Sequence, residues 1–383
     1  MNIFIALTYY RPHYSGLTIY VERLARALAK RGHKIALLTS RYDARLPAHE
    51  VLDGVEIHRL GVGLRISKGV IMPAMPVWAT RLARWADVVN LHVPQLDAAP
   101  IAVISRLLGK PVVLTYHCDL RLPAGAVHYV ANQASHLANH ISARSANTIV
   151  TNTRDYAEAS PFLRLYLSKL QIIPPPVELA QVSETELKAF KVKAGIETGQ
   201  RIIGMAARLA SEKGVEYLVE AMPEVLEKHP RARVLFVGQH LDVLGEEAYA
   251  IKLAPLIKRL ANHWTYLGVL PPLEFATFLK LADVTVLPSI NSTESFGMVQ
   301  IESMASGTPV VASDLPGVRQ PVLTTGMGKV VPVGEARALA EAITVVLDHP
   351  QQYQGDVNAI ARRYAPETIA AEYEALFCSL GEM

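Results

Sequence analysis

The chain has 383 residues, of which 50% are hydrophobic and 19% are charged. This length exceeds what one hydrophobic core usually serves, so we expect two domains with large buried cores rather than a disordered chain. The net charge of +3 is too small to indicate a nucleic-acid-binding protein. The two cysteines, Cys118 and Cys378, lie outside any metal-ligand spacing, which is typical of free thiols in a reducing, cytoplasmic compartment.

No stretch has the pattern of a targeting or membrane-spanning segment. The amino-terminal run MNIFIALTYY lacks a basic leader and a small-residue cleavage site, so it predicts a first β-strand rather than a signal peptide. The longest apolar run, VIMPAMPVWA, is too short to span a bilayer and contains two prolines. We therefore expect a protein that is soluble or lies on a membrane surface.

Short β-rich runs alternate with amphipathic helical patterns along the whole chain. The predicted strands of the first half are residues 2–9, 34–40, 55–60, 87–92, 111–117 and 147–152. Those of the second half are residues 201–207, 232–238, 264–268, 283–289, 308–313 and 328–333. Continuous apolar strands separated by helices predict an α/β protein with parallel sheets that are covered on both faces.

A run of three prolines followed by a polar stretch interrupts this alternation. We therefore predict a first domain over residues 1–178, a linker over 179–198 and a second domain over 199–365. A terminal helix over about 366–383 is expected to pack back on the first domain. Two doubly wound domains in series would face each other across a cleft, because open α/β sheets bind ligands at the carboxyl ends of their strands.

The stretch ESFGMVQIE, residues 294–302, begins and ends with a carboxylate. Gly297 marks a strand-to-helix turn with Ser295 as the predicted N-cap, and a helix start of this kind attracts anions. Were the whole stretch helical, Glu294 and Glu302 would lie ~12 Å apart along the axis. Carboxylates that act together on a glycosidic bond lie only about 5 to 9.5 Å apart. The spacing favours two separate anchors for one ligand, with two unrelated surface acids as the alternative.

The stretch MAARLASEKG, residues 205–214, follows the first predicted strand of the second domain. Arg208 and Lys213 should emerge at the carboxyl end of that strand, where two cations can clamp a diphosphate. The alternative is a solvated loop in which Glu212 pairs with one of the cations.

Two further stretches come from the first domain. Gly16, after the first strand, lets a ligand approach the backbone ahead of a helix. The G-x-G-x-x-G fingerprint is absent there, so NAD binding is disfavoured. His117 ends a buried strand, where it can hydrogen-bond a hydroxyl or a developing charge, and Asp119 either orients it or faces water. A structural histidine is an equally good interpretation of this feature alone.

Together these four stretches resemble the retaining glycosyltransferases of family 4, whose GT-B fold has two Rossmann-like, doubly wound domains facing across a cleft. The most specific part is E-S-F-G-x-x-x-x-E followed by SMASGTPVVASDLPG. The blocks ALAKRGHKIALLTS, AARLASEKG and ADVTVLPS also match the family's pattern in the same order. The resemblance covers nearly the whole chain.

The resemblance implies roles for the candidate residues. Glu302 would accept hydrogen bonds from the ribose of a nucleotide, and Glu294 would hold hydroxyls of the donor sugar. Arg208 and Lys213 would neutralise the diphosphate, which Gly16 would approach from the first domain. His117 would lie beside the sugar. Further nucleotide-sugar contacts are implied at Phe296, Gly297, Met298, Val299 and, near the base, Val269.

The chain departs from the family pattern at several positions. Ser15 replaces the first residue of a usual glycine pair, and Ala207 stands where a glycine precedes the arginine. The run IIPPPVE replaces the usual IPNGVD, and Gln320 stands where a glutamate is common. None of these changes touches Arg208 or Lys213, so activity is still expected.

The resemblance implies transfer of a hexose, with retained configuration, from a UDP- or GDP-sugar to a hydroxyl of a lipid-linked or polysaccharide glycan. No D-x-D sequence occurs and two cations already supply positive charge, so no metal cofactor is expected. A sugar-nucleotide epimerase and a non-catalytic nucleotide-sugar-binding subunit are the alternatives.

Residues 59–89 combine basic, aromatic and aliphatic side chains. Such a surface can dock on anionic lipid headgroups, which would place the protein at the inner face of the cell membrane. The alternative is a loop and a core-facing helix with buried tryptophans. The residues concerned are Arg59, Arg65, Lys68, Arg81, Arg84, Trp78 and Trp85.

Overall fold

The structure is a computed structural model that describes residues 1–66, 69–119 and 126–381. The chain forms two compact units, one of Met1–Pro176 with Tyr364–Met383 and one of Val177–Arg363. The sequence placed the corresponding boundaries at 178 and 366.

The first unit contains an eight-stranded sheet with helices between its strands. The strands of this unit are β1 (Asn2–Ala6), β2 (Lys34–Arg41), β3 (His49–Leu52), β4 (Val55–Gly61), β5 (Leu64–Ile66), β6 (Gly69–Ile71), β7 (Val88–Val93), β8 (Val112–Tyr116), β9 (Thr148–Thr151) and β10 (Leu170–Ile172). The helices are α1 (Gly16–Lys30), α2 (Met75–Trp85), α3 (Ala98–Leu107), α4 (Ala126–Ser145) and α5 (Arg154–Ala159).

The sheet order is β10-β9-β8-β7-β1-β2-β4-β3, in which only β3 is antiparallel to its neighbour. The chain winds outward in both directions from β1, so the topological switch point lies between β1 and β7. Strands β5 and β6 form a separate hairpin. Strands β7 and β8 are buried along their whole length, which is what a parallel sheet covered on both faces requires.

The second unit contains a six-stranded, all-parallel sheet of order β13-β12-β11-β14-β15-β16. Its switch point lies between β11 and β14. The strands are β11 (Arg201–Ala206), β12 (Ala232–Val237), β13 (Trp264–Gly268), β14 (Val284–Leu287), β15 (Val310–Ser313) and β16 (Gly328–Val331). The helices are α6 (Glu184–Lys193), α7 (Val215–Lys228), α8 (Glu247–Arg259), α9 (Pro272–Leu281), α10 (Met298–Ala305), α11 (Gln320–Thr325), α12 (Ala336–Asp348) and α13 (Val357–Tyr364).

The α/β fold class predicted from the alternating pattern is confirmed, and each predicted strand is present. The sequence missed β3, β5, β6 and β10, which are three or four residues long. The turn between β3 and β4 is a two-residue Asp-Gly turn, with positive φ at both Asp53 and Gly54. That dipeptide is a strong hairpin signal in a sequence.

The segment predicted as a linker, residues 179–198, instead folds as part of the second unit. Helix α6 begins with a capping box, in which Ser183 and Glu186 bond to each other's backbone N–H groups. Phe190 of this helix is 4% exposed and belongs to the same apolar cluster as Ile202 and Phe278. Burial of this aromatic side chain holds the segment against the sheet. The polar composition of the other residues led to the prediction of a linker.

The last helix, α14 (Pro366–Gly381), belongs to the first unit and packs on α1. The Tyr20 and Tyr373 hydroxyls are 2.8 Å apart and buried. Glu374 forms an ion pair with Arg31 and lies 3.0 Å from His33 Nε2. No helix in the described part of the chain is both long and apolar enough to cross a membrane.

Candidate functional site

The loops after β11 and β14 carry the predicted phosphate and sugar anchors. They leave the two strands that flank the switch point of the second sheet, the place where open α/β sheets bind ligands. Arg208 and Lys213 lie in the first loop and Glu294 lies in the second. The Ile290 N–H donates to the Glu212 carbonyl across 3.1 Å, which joins the two loops directly.

Two ion pairs form within these loops. Lys213 Nζ lies 2.6 Å from Glu294 Oε2, and both side chains are largely buried, with 21% and 17% exposed. Arg208 pairs with Glu212 across 2.9 Å. This pairing was the alternative expected from the sequence, in which Glu212 neutralises one of the two cations. The structure therefore brings Lys213 and Glu294 together, so that one ligand can contact both.

Two glycines allow this close approach. Gly214, with φ +63°, precedes α7, and a Cβ there would lie 2.1 Å from the Pro288 carbonyl oxygen. Gly297, with φ +76°, precedes α10, and a Cβ there would lie 2.3 Å from Leu287 Cδ2. A side chain at either position would meet both strain and a collision.

The N-cap of α10 differs from the sequence prediction. Gly297, not Ser295, is the N-cap, and no side chain caps the helix. Ser295 is buried instead. Because the helix begins only at Met298, the ~12 Å separation expected for a fully helical stretch does not apply. The uncapped start keeps its first N–H groups free of any side-chain cap, as an anion site needs.

A fully buried glutamine holds the turn ahead of this helix. The Gln300 amide nitrogen donates to the Phe296 and Val318 carbonyls, both at 2.8 Å. Phe296 is itself buried, at 4% exposure, while Met298 and Val299 are half-buried. In the sequence, nothing distinguishes Gln300 from the other residues of the predicted helix.

The remaining predicted residues of the second unit lie on separate elements. Glu302 lies on α10 and is 7% exposed. Val269 follows β13 and is 71% exposed. The ring of Tyr266, on β13, stacks with the ring of His240, which follows β12, with centroids 4.3 Å apart.

The predicted residues of the first unit lie at the carboxyl edge of its sheet. Gly16 is the exposed first residue of α1, after β1, and His117 directly follows β8. His117 Nε2 lies 2.9 Å from Nδ1 of His92, a fully buried residue of β7. Asp119 does not orient His117, since its Oδ1 accepts hydrogen bonds from Tyr116 and Ser160, each at 2.8 Å.

Burial lowers the pKa of His117 to about 3. Burial also lowers the pKa of His92 well below the usual range, helped by the neighbouring His117. Both rings are therefore neutral at physiological pH.

Two buried polar residues that were not among the predicted site residues also lie at this edge of the sheet. Gln95 and Asp97, after β7, are each 6% exposed. Within the described part of the chain, both amide atoms of Gln95 and Oδ2 of Asp97 have no hydrogen-bond partner. Burial raises the pKa of Asp97 to about 6. The available signal was NLHVPQLD, where polar residues interrupt the end of a buried strand.

The predicted basic and aromatic surface is smaller than expected. The prediction that Arg59 belongs to this surface is wrong, because Arg59 is 3% exposed and donates hydrogen bonds to Glu50 and to the Arg11 carbonyl. Lys68 lies outside the described residues. Trp78 and Trp85 are half-buried against the core. What remains outside is Arg65, exposed on β5, and the outer face of α2, with Val77, Arg81 and Arg84 exposed.

One group of described residues has the donor atoms of a metal site. His49, on the edge strand β3, and Glu56 and His58, on its neighbour β4, have ligand atoms within 4.8 Å of one another. Both imidazoles already face the same Glu56 oxygen, at 3.1 and 3.2 Å. These strands lie at the outer edge of the first sheet, away from its switch point.

Two departures from the family pattern fit the backbone. Ser15 has an extended backbone, with φ −152°, and its hydroxyl accepts a hydrogen bond from the Thr18 N–H as the N-cap of α1. Ala207 is not among the described non-glycine residues with positive φ. Neither position needs a glycine here.

Residues 15–176 match the family described as Glycosyl transferase 4-like domain, and residues 188–364 match Glycosyl transferases group 1. The chain belongs to the GT4-type glycosyltransferases. The D-inositol 3-phosphate glycosyltransferase of Acidothermus cellulolyticus is 28% identical to it, over 87% of this chain and 78% of that one. The phosphatidyl-myo-inositol mannosyltransferase of Mycobacterium tuberculosis is 26% identical, over 93% and 91%.

Solved structures confirm the GT-B fold of this glycosyltransferase. HepE of Anabaena, in complex with UDP, superposes with a TM-score of 0.79 at 18% identity, covering 99% of this chain and 100% of that one. Sucrose-phosphate synthase of Thermosynechococcus elongatus superposes with a TM-score of 0.75 at 22% identity, covering 99% and 98%.

Proposed function

We propose that this glycosyltransferase moves a hexose from a nucleoside-diphosphate sugar to an acceptor hydroxyl with retained anomeric configuration. The observation that carries the proposal is the contact between Lys213 and Glu294 at the switch point of the second sheet. A cation for the diphosphate and a carboxylate for sugar hydroxyls lie side by side there, next to the uncapped start of α10. This is the order of groups along a sugar diphosphate.

The chemistry rests on electrostatic stabilisation of the leaving group. The bond between the anomeric carbon and the diphosphate oxygen breaks, and the acceptor oxygen bonds to that carbon on the same face. The acceptor proton passes to the departing phosphate oxygen. Arg208, Lys213 and the start of α10 stabilise the charge that develops on the diphosphate. These groups supply the positive charge of a metal ion, so catalysis proceeds without one.

The donor base is uracil or guanine, and the acceptor is a lipid-linked or polysaccharide glycan or a related polyol. The UDP complex of HepE supports a uridine donor. The names of the two relatives, which act on inositol 3-phosphate and phosphatidyl-myo-inositol, support a polyol or lipid-linked acceptor.

Acceptors of this kind suit a protein that contacts an anionic membrane surface. The outer face of α2 presents Val77, which is 73% exposed, with Arg81 and Arg84. An exposed aliphatic side chain flanked by arginines binds anionic headgroups through both apolar and charge contacts. Co-sedimentation with phosphatidylserine vesicles should be lost in a Val77→Ser, Arg81→Ser, Arg84→Ser variant. Absence of binding by the unaltered protein at low salt would contradict membrane contact.

The reaction is tested by incubating the protein with a panel of UDP- and GDP-sugars, with and without inositol phosphates, phosphatidylinositol and glycan acceptors. Transfer predicts nucleoside-diphosphate release coupled to a larger product, and EDTA should leave the rate unchanged. A converted free sugar nucleotide would indicate an epimerase, and binding without release would indicate a non-catalytic subunit. Loss of activity in EDTA that Mg²⁺ or Mn²⁺ restores would contradict metal independence.

A further inference from the structure

A chain of buried polar side chains runs through the first unit from His117 to the terminal helix. His117 contacts His92 at 2.9 Å, and His92 Nε2 contacts the Asn90 amide oxygen at 2.9 Å. The Asn90 amide nitrogen donates to Thr115 Oγ1 at 2.9 Å, and that hydroxyl lies 3.1 Å from the Tyr373 hydroxyl. Apart from His117, each member is at most 1% exposed. Buried polar groups at this depth are costly unless every proton has a defined place.

The place of each proton follows from one backbone group. The carbonyl of Val113 can only accept, and the Asn90 side-chain nitrogen lies 3.2 Å from it. The Asn90 amide oxygen therefore faces His92, where it too can only accept. His92 Nε2 must carry a hydrogen, and since a buried neutral imidazole has one N–H, His92 Nδ1 must be the acceptor.

The same reasoning passes one step further. Because His92 Nδ1 accepts, His117 Nε2 must donate to it. We propose that His92 is a positioning residue, which holds His117 as its neutral Nε2–H tautomer and leaves its Nδ1 lone pair to accept a hydrogen bond from a donor-sugar hydroxyl. His117 then neither donates a proton nor carries a charge in the reaction.

The surroundings of His117 and His92 agree with a neutral pair. The Tyr20 ring meets the His117 ring edge to face, with centroids 4.8 Å apart, and its hydroxyl bonds to Tyr373. Burial raises the pKa of Tyr20 well above its ordinary value, so this neighbour is uncharged. The nearest carboxylate in sequence, Asp119, bonds through Oδ1 to Tyr116 and Ser160 and forms no ion pair with His117. Among the described residues, no ion pair offers His117 a counter-charge.

The identity of the hydroxyl that His117 binds rests on the proposed function. The tautomer of His117 does not, because it follows from the hydrogen bonds of His92 and Asn90 alone. The tautomer is measured directly from the ¹⁵N shifts of the His117 ring in the full-length protein, identified by their loss in His117→Asn. We expect a protonated Nε2 and an unprotonated Nδ1 from pH 6 to pH 8. An Nδ1–H tautomer or an imidazolium in this range would overturn the proposal.

The positioning role is tested with a matched set of variants. His92→Leu removes both hydrogen bonds, and we expect mixed His117 tautomers. By analogy with the loss of a partner that orients a metal-binding histidine, kcat should fall by roughly 10- to 100-fold. His92→Gln offers an amide oxygen to His117 and an amide nitrogen to Asn90, so it should recover most of the loss.

His33→Leu is the control, because it breaks a partly buried contact with Glu374. His33 precedes β2, so this contact lies at the amino ends of the strands, opposite to His117. It should lower stability without changing kcat. Unchanged kcat in a folded His92→Leu protein would overturn the positioning role. Absence of turnover by the unaltered protein with every donor, alongside the expected tautomer, would instead count against the proposed function. If His92→Leu does not fold, the tautomer of the unaltered protein still decides the proposal.

Discussion

At the scale of single residues, the contact between Lys213 and Glu294 gives the sharpest prediction. Lys213→Ala should lower kcat by on the order of 10² or more, because it removes one preorganised charge from the leaving group. Steady-state turnover of the active nucleotide sugar measures the effect.

A matched control is available on the same unit. Lys193 pairs with Glu274 across 2.7 Å, but it lies on α6, away from the switch point. Lys193→Ala should leave kcat unchanged, since an exposed ion pair contributes little. Equal rates in the Lys213→Ala and unaltered proteins would contradict the proposal that Lys213 stabilises the departing diphosphate.

Asp97 gives a prediction about stability and pH. Burial raises its pKa to about 6, above its ordinary value, so the folded state binds a proton more tightly than the unfolded state. Stability should therefore fall as pH rises from about 4 through 6. Asp97→Asn removes this cost and should raise the free energy of unfolding by about 1 to 3 kcal/mol at pH 7, with no gain at pH 4. Urea unfolding at both pH values measures it, and a loss of stability at pH 7 would contradict it.

The candidate site was predictable residue by residue only in part. The resemblance assigned Lys213 to the diphosphate and Glu294 to the sugar of one donor, and the structure brings these two side chains together. The pairing of His117 with His92 was not predictable, because the two lie 25 positions apart and meet only when β7 and β8 become neighbours. Asp119, which is close to His117 in sequence, was the candidate for orienting it, but Asp119 bonds to Tyr116 and Ser160 instead.

At the scale of elements, the site depends on where helices begin. Gly297→Ala should destabilise the protein by more than 2 kcal/mol and weaken nucleotide binding, because the new Cβ would meet Leu287 and force a left-handed alanine. Gly326→Ala is the control: its φ is +70°, but nothing lies within 4 Å of the added atom.

The control variant should show the backbone strain alone, about 1 kcal/mol, with nucleotide affinity unchanged. Thermal unfolding and calorimetric titration with UDP and GDP give both quantities. Equal losses in the two variants would show that packing against β14 is unimportant.

Long apolar strands were predictable because a strand that is buried on both faces has a continuous run of apolar residues. Helix ends and short elements were not. The N-cap moved from Ser295 to Gly297 because the turn needs a positive φ, which a serine favours less. Helix α6 was missed because one buried aromatic residue, Phe190, holds an otherwise polar segment in place.

At the scale of the whole molecule, α14 makes the two ends of the chain depend on each other. Tyr373→Phe removes the hydroxyl that Tyr20 and Thr115 share, and should lower the stability of the first unit by about 1 to 3 kcal/mol. The second unit should be unaffected.

Tryptophan fluorescence separates the two units. In a Trp264→Phe background, the remaining tryptophans, Trp78 and Trp85, both belong to the first unit. Their transition should move to lower urea concentration when Tyr373→Phe is added. An unmoved transition would show that the shared hydroxyl adds nothing to the stability of this unit.

The placement of residues 364–381 in the first unit also sets an order of assembly on the ribosome. Residues 177–363 emerge as an uninterrupted segment and can complete their sheet during translation. The side chains of the first sheet's unit that α14 covers stay exposed until α14 has left the exit tunnel. The nascent first half is thus the part on which a chaperone would act longest.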